Sequence, residues 1–262
     1  MNSPRRHFLR MALFTLASGL LIIGYGFWQK AVWALALWPW PDGPLSYLFI
    51  SSMLLAEGAT MAWVFTTMEL NAARGGSLGF GAMNAGISAY TAYLYGQQHQ
   101  ALLLGWAVVC GFLAIGALAL FIIGTKEERR DVRPSPLIVR TSFLAFSAAL
   151  FAATAMLLLR RPIIFPWALR PDSSVMFGFL FLASAIYFFD GWLRPSIANS
   201  FGQLLGFLVY DIVLIPPFLL HWSKAFGGFR ISLVIYLIVL FWSAALAIWF
   251  WIRYGLLKSI KP

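Results

Sequence analysis

Residues 101–124 read ALLLGWAVVCGFLAIGALALFIIG, a stretch without a single charged side chain. An α-helix rises about 1.5 Å per residue, and about 20 apolar residues are enough to cross a hydrocarbon core about 30 Å thick. The stretch is therefore long enough to span a bilayer. It decides the class of fold, because a water-soluble domain of this size has no comparable place for it.

The composition of the whole chain agrees with that stretch. Of the 262 residues, 61% are hydrophobic and 11% are charged, against about 45–50% and about 25% in soluble domains. A soluble fold is excluded, and we predict a polytopic integral membrane protein. The net charge is +10, but the basic residues lie at the ends of apolar runs, where they meet lipid headgroups. Membrane lipids are the expected partners, and nucleic acid is not.

A window of about 19 residues identifies eight predicted transmembrane helices. We therefore expect an all-α fold with both termini on one side of the membrane. The predicted spans are residues 10–28, 45–68, 76–96, 101–124, 137–159, 174–193, 199–220 and 230–256.

The distribution of lysine and arginine predicts the orientation. If the N-terminus is cytoplasmic, 13 basic residues face the cytoplasm and six face outward. Cytoplasmic loops carry the excess of positive charge, so both termini are predicted to be cytoplasmic, in a plasma (inner) membrane. The cytoplasmic set is Arg5, Arg6, Arg10, Arg74, Lys126, Arg129, Arg130, Arg133, Arg140, Arg194, Arg253, Lys258 and Lys261, and the outer set is Lys30, Arg160, Arg161, Arg170, Lys224 and Arg230.

The N-terminal pair Arg5-Arg6 is close to the twin-arginine export pattern. The apolar run that follows is about 18 residues long, whereas the apolar region of a signal peptide has about 7–15. We therefore expect this run to remain as the first membrane helix.

A weak internal repeat suggests a duplication. The motif G-x-x-L-G-F occurs at residues 75–80 and again at residues 202–207, an offset of 127. Four residues after the motif stand Asn84 in the first copy and Asp211 in the second. The glycine spacing within each copy, Gly75/Gly79 and Gly202/Gly206, is typical of helix faces that allow close packing.

The repeat predicts two four-helix halves, residues 1–125 and 137–262, joined by a charged cytoplasmic linker at residues 126–136. Because four is an even number, both halves would enter the membrane in the same direction. They would then be parallel repeats, related by an axis along the membrane normal.

The acidic residues within the spans carry most of the functional information, because a carboxylate in lipid is costly unless it is neutral, paired or hydrated. Glu57 and Asp211 both lie near mid-membrane, and neither has a basic residue one turn away. Asp190 has such a neighbour in Arg194, so we predict a structural ion pair there. In the weak repeat, Asn84 is the neutral counterpart of Asp211.

Two interpretations of Glu57, Asp211 and Asn84 remain open. These residues can form a polar network that holds the bundle together through partners such as Thr60 or Gln203. Alternatively, one or both carboxylates face a cavity and bind a proton or a cation.

Other polar features have local explanations. Asp42 and Asp172 each follow a proline and precede a predicted helix, so we expect them to cap those helices. Pro216-Pro217 predicts a kink or an early end in the seventh span. The three histidines lie outside the centres of the spans, and the single cysteine excludes a disulfide framework, so no metal site is predicted and any cofactor is unknown.

Three functions fit these features. The first is a proton- or cation-coupled transporter of a small solute that uses the mid-membrane carboxylates. The second is a non-catalytic subunit or assembly factor of a larger membrane complex, with other membrane subunits as partners. The third is an intramembrane enzyme that acts on a lipid or a quinone. No sequence motif assigns catalytic residues.

Overall fold

The computed structural model describes residues 3–128, 131, 133–161 and 164–254. Within these residues the chain forms nine α-helices and no strand, so the predicted all-α class is confirmed. The helices are α1 Ser3–Trp28, α2 Val32–Leu35, α3 Pro44–Thr67, α4 Ala73–Gln98, α5 Ala101–Lys126, α6 Leu137–Leu158, α7 Pro171–Leu193, α8 Ile197–His221 and α9 Gly227–Tyr254.

Seven of these helices are long and apolar enough to cross a membrane, one fewer than the predicted eight. Of the predicted spans, the one that is not apolar enough is α4. It has 26 residues but carries six glycines along with Asn84 and several hydroxyl side chains. It nevertheless runs the length of the bundle, packed between α5 and α7. A helix covered by neighbours on two sides needs fewer apolar side chains than one that faces lipid all round, which explains the difference.

The helices form two rows. In the first row the order is α1, α3, α8, α9, and in the second it is α5, α4, α7, α6. Each row takes two helices from residues 1–125 and two from residues 137–254. A duplication of two parallel halves, which relates α1, α3, α4 and α5 to α6, α7, α8 and α9 in that order, would give this arrangement. Relating the same helices in reverse order, from α1 with α9 to α5 with α6, gives the arrangement equally well. The duplication and the division into halves therefore stay predictions.

The end of the bundle that holds residues 29–43, called here the tryptophan end, is closed by aromatic rings. The Trp38 ring lies against Phe177, with 5.8 Å between centroids, and against Trp106 at 5.9 Å. The Trp106 Nε1 donates to the Leu37 carbonyl at 2.7 Å. The short helix α2, which the sequence pattern did not indicate, lies in this segment.

The two proline-preceded aspartates also lie at the tryptophan end, but the prediction that they cap helices is wrong. The N-cap residues are Gly43 for α3 and Arg170 for α7, and neither makes a side-chain capping bond. Asp42 accepts instead from Trp38 Nε1 at 2.8 Å. Asp172 lies inside the first turn of α7, where its charge still faces the positive end of the helix dipole.

The opposite end, called here the linker end, holds the described residues between α5 and α6, which are 127, 128, 131 and 133–136. There the Arg133 carbonyl accepts from the Ile197 N–H at 3.0 Å, and the Ser135 and Ser200 hydroxyls lie 2.6 Å apart. The Arg133 guanidinium, 2.6 Å from the Asp131 carboxylate, holds the pKa of that carboxyl below its usual range. Of the basic residues used to predict orientation, Arg129, Arg130, Lys258 and Lys261, together with the Arg5 side chain, lie outside the described part of the chain.

Pro216-Pro217 neither ends nor interrupts α8, which continues as a helix to His221. Proline leaves the carbonyls one turn earlier without intrahelical donors, here at Ile212 and Val213. Ile212 is exposed on the outside of the bundle. The predicted early end is therefore wrong, and the alternative of a kink stays a prediction. Pro216 lies on the exposed outer face of the helix.

Candidate functional site

A cavity of about 330 Å³ lies between the two rows of helices. Side chains from α1, α3, α4, α6, α7, α8 and α9 line it, so both rows and both predicted halves contribute. Most of the wall is apolar. The polar side chains that line it are Glu57, Thr60, Ser184, Tyr187, Gln203, Tyr210, Ser232 and Tyr236.

Glu57 is the one charged residue among those that line the cavity. It lies about 20 Å along α3 from the first residue of that helix, near the middle of the span. Within the described part of the chain, its carboxylate has neither a hydrogen-bond donor nor a counter-ion within contact distance. The cavity thus holds an unpaired acid surrounded by apolar side chains.

Aromatic rings form much of the wall around this acid. Phe188 and Phe207 stack almost parallel, with centroids 4.3 Å apart and 11° between the ring planes. Phe146 packs edge-on against Phe207 at 4.9 Å. Phe80 and Phe181 line other parts of the cavity. These rings border a space that contains a single acidic group.

Three tyrosines bring hydroxyl groups to the same space. Tyr187 comes from α7, Tyr210 from α8 and Tyr236 from α9. The Tyr210 and Tyr236 side chains are neighbours, and their hydroxyl groups interact with each other. The two rings thus connect α8 to α9 at the cavity wall.

Gln203 joins α8 to α7 at the cavity wall. Its Nε2 donates to the Tyr187 carbonyl at 2.6 Å, while its Oε1 is buried and has no hydrogen-bond partner in the described part of the chain. The amide is close to Gly191, where a larger residue would collide with it. The unused Oε1 is thus buried against Gly191 of α7.

The four glycines of the repeated motif lie at close helix contacts around the cavity. A Cβ at Gly206 would lie 3.0 Å from Thr60 Oγ1, and one at Gly202 would lie 3.1 Å from the Tyr187 hydroxyl. A Cβ at Gly79 would collide with the Ala183 carbonyl oxygen, and one at Gly75 with the Asp190 carboxylate. Gly75 and Gly79 of α4 thus abut α7, and Gly202 and Gly206 of α8 abut α3 and α7.

Asp211 lies apart from Glu57. It is 1% exposed and does not line the cavity. Its Oδ1 accepts from the Ser243 hydroxyl of α9 at 2.9 Å, and its Oδ2 is buried with no hydrogen-bond partner among the described residues. The two mid-membrane acids therefore belong to different environments, one at the cavity and one in the α8–α9 interface.

The other sequence-predicted polar residues also lie outside the cavity wall. Asn84 is buried, and its Nδ2 donates to the Phe80 carbonyl at 2.8 Å within its own helix. Asp190 and Arg194 form an ion pair at the linker end, bonded through two guanidinium nitrogens. Arg194 Nη1 also lies 3.5 Å from the Asn71 Oδ1.

Sequence reasoning missed the three tyrosines. Each occurs within an apolar span rather than at its end, and tyrosine in a membrane helix is commonest at the interface. That unusual depth is the signal that could have identified them. Thr60 and Gln203, which we considered as hydrogen-bonding neighbours of the buried acids, line the same cavity as Glu57.

The cavity is open on one side, between α6 and α9. These helices meet near the linker end, where Trp242 Nε1 donates to Ser142 Oγ at 3.1 Å. Farther toward the tryptophan end, Ala149 of α6 and Ile235 of α9 line the cavity and are exposed, Ile235 by 57%. A residue so exposed cannot belong to a sealed void, so the cavity reaches the outer surface of the bundle there.

Toward the tryptophan end the cavity is blocked by fully buried rings. Phe165 lies 4.8 Å from Phe49 and 5.3 Å from Phe177, measured between centroids. Phe181, which lines the cavity, packs against both Phe49 and Phe165. This layer separates Glu57 from the tryptophan end.

Among the residues described, no group of three or more His, Cys, Asp or Glu side chains is placed to hold a metal ion. No family model matches the sequence, and neither a curated protein nor a solved structure is significantly similar to the chain. Function has to be argued from the cavity itself.

Proposed function

We propose that this multi-pass membrane protein is a proton- or cation-coupled transporter of a small solute, and that Glu57 is its coupling site. The observation that carries the proposal is the unpaired Glu57 carboxyl group in the cavity between the two rows of helices. Of the two carboxylates that the sequence places near mid-membrane, only Glu57 is accessible from that cavity.

An isolated charge such as the Glu57 carboxylate is costly inside the membrane. An ionised carboxylate without a partner in an apolar space costs several kcal/mol, and even lenient insertion scales give about 2.5–3.5 kcal/mol at the bilayer centre. The group therefore takes up a proton or a cation, or exchanges one for the other. Such an exchange at a single acid is a minimal form of coupling between proton movement and cation movement, because the proton and the cation cannot occupy the carboxylate at the same time.

The arrangement of the helices provides for movement. Two rows that contain helices from both halves surround the site, and rocking of one bundle against another is a common way to alternate access to a midplane site. The glycine contacts of α3 with α8 and of α4 with α7 join the helices within each row through small residues, which leave few interlocking side chains.

We further propose that the protein resides in a plasma (inner) membrane with the linker end in the cytoplasm. Support comes from the distribution of basic residues, 13 against six, between alternate loops. In this orientation the aromatic layer at the tryptophan end lies toward the outside, and Glu57 is screened from that side.

The test is proton movement in proteoliposomes that contain a trapped pH-sensitive dye. A panel of small solutes is added outside, with an imposed pH gradient, and the change of internal pH is recorded. We expect at least one solute to drive proton movement through the wild-type protein and none to do so through Glu57→Gln, which preserves the size of the side chain.

The matched control is Asp211→Asn, which also neutralises a mid-membrane carboxylate but one outside the cavity. It should keep the solute-driven proton movement. Retention of the response in Glu57→Gln, or its absence from folded wild-type protein for every solute, would overturn the proposal and favour a subunit or an enzyme.

A further inference from the structure

We propose that the cavity binds a lipophilic organic monocation, which reaches Glu57 directly from the bilayer through the opening between α6 and α9. This inference rests on the proposed function, since it names the class of solute that the same cavity would accept.

The charge of the cavity selects the sign of the ligand. Glu57 is acidic, and no lysine, arginine or histidine is among the residues that line the space. An anion would face an unpaired carboxylate with no basic group to receive it. A ligand with a single positive charge neutralises the carboxylate, whereas a dication would leave one charge uncompensated in an apolar space.

The polar groups are too few for a bare metal ion. Calcium takes six to eight oxygen ligands, and magnesium demands an octahedral set with several waters. Here one carboxylate, one amide side chain and a few hydroxyl-bearing residues are distributed over a mainly apolar wall. An organic cation needs no such shell, because its charge is spread over apolar substituents.

The aromatic wall suits the body of such a cation. Phe, Tyr and Trp faces attract organic cations when the charge lies within about 6 Å of the ring centroid. Five phenylalanines and three tyrosines line the space: Phe80, Phe146, Phe181, Phe188, Phe207, Tyr187, Tyr210 and Tyr236. The cavity volume of about 330 Å³ lies within the roughly 300–1,000 Å³ typical of sites for drug-sized molecules.

The opening between α6 and α9 determines the route by which a ligand enters the cavity. Ala149 and Ile235 stand on its two sides, at a position that faces the acyl chains in a membrane. Toward the tryptophan end the path is blocked by Phe49, Phe165 and Phe177, all fully buried. A ligand that partitions into lipid can therefore reach Glu57 without crossing an aqueous vestibule.

The experiment compares two probes of the same shape and opposite charge, tetraphenylphosphonium and tetraphenylborate. Binding of each radiolabelled ion is measured on the full-length protein in nanodiscs, and binding to empty nanodiscs of the same lipid is subtracted. We expect saturable binding of the phosphonium, and none of the borate. Glu57→Gln should weaken phosphonium binding by about tenfold or more, the size typical of a lost contact to a charged group.

Two further variants test the route. Ala149→Trp narrows the opening and should slow association of the phosphonium severalfold. Ile115→Trp, on a lipid-facing part of α5 that is 67% exposed and remote from the cavity wall, should leave the association rate unchanged. If one of these variants does not fold, Ile235→Trp examines the same opening from α9.

The outcomes separate this inference from the proposed function. Equal binding of both ions, binding unaffected by Glu57→Gln, or equal association rates in Ala149→Trp and Ile115→Trp would overturn the inference. Solute-driven proton movement could then still depend on Glu57 with a neutral solute. Conversely, Glu57-dependent, charge-selective binding through the opening supports the inference even if no solute moves protons.

Discussion

The Asp42 carboxylate accepts a hydrogen bond of 2.6 Å from the Ser173 hydroxyl, which connects the segment before α3 to the first turn of α7. In the same turn of α7, Asp172 accepts from the Tyr90 hydroxyl of α4 at 2.7 Å. Arg160 lies 3.5 Å from Asp172 and adds a partly exposed charge. Each aspartate thus bonds to a residue distant in sequence, so two such contacts hold the tryptophan end together.

The first prediction concerns the bond between Asp42 and Ser173. Ser173 is fully buried, and a hydrogen bond to a charged group is worth about 1.5–3 kcal/mol. Asp42→Asn and Ser173→Ala should each lower the free energy of unfolding in mild detergent, with a coupling of about 1 kcal/mol in the double-mutant cycle. Additive effects of the two substitutions would show that the contact contributes nothing of its own.

The second prediction concerns the close approach of α4 to α7. In Gly79→Ala the new methyl group would meet the Ala183 carbonyl oxygen, a backbone atom that cannot rotate away, so we expect a loss of about 1–3 kcal/mol. The matched control is Gly96→Ala in the same helix, which has open space around the added methyl group and should gain about 0.4–1 kcal/mol. Thermal unfolding in detergent measures both, and equal shifts would contradict the packing role of Gly79.

The third prediction distinguishes the two mid-membrane acids by their accessibility. Dicyclohexylcarbodiimide is apolar and reacts with protonated carboxyl groups, adding across its N=C=N unit to give a stable acylurea. We expect the adduct at Glu57, which lines an open cavity, and none at Asp211, which is 1% exposed. Mass spectrometry of the digested protein locates the label, and Glu57→Gln is the control that should remove it. Faster labelling of Asp211 than of Glu57 would show that the cavity is wrongly assigned.

The fourth prediction concerns orientation. Gln98 ends α4 at the tryptophan end, whereas Pro262 lies beyond the described residues. A phosphatase reporter that is active only outside the cytoplasm should be active when fused after Gln98, and inactive when fused after Pro262. The excess of basic residues in alternate loops is the physical reason. Activity of both fusions, or of neither, would contradict a shared cytoplasmic side for the two termini.

The sequence by itself determined the class of fold and the limits of the helices. Apolar runs of about 20 residues leave a membrane span as the physical solution, and the polar or proline-containing segments between them determine where the helices end. Predicted spans 101–124 and 137–159 correspond to α5 Ala101–Lys126 and α6 Leu137–Leu158. The predicted count of eight exceeds by one the seven helices that are apolar enough to cross a membrane, because α4 is long enough to span but is only moderately apolar.

Only the tertiary structure decided which acid reaches the cavity. The sequence gives the depth of Glu57 and Asp211 along their helices, and the two depths are alike. The direction in which each side chain points depends on how its helix is rotated, which is fixed by contacts distant in sequence, such as Gly206 against Thr60. Those contacts turn Asp211 toward Ser243 and leave Glu57 facing the cavity.

The aspartates at the tryptophan end also show that sequence alone does not predict which partner a polar side chain meets. A residue just before a helix predicts a local cap, because the nearest free N–H groups belong to that helix. In the folded chain, Asp42 instead meets the Trp38 indole, four residues earlier in the chain, and the Ser173 hydroxyl, which only the packing of α7 against this segment brings near. Sequence determined where the polar groups lie along each helix, and packing determined which of them meet, because a side chain's partner depends on three-dimensional proximity.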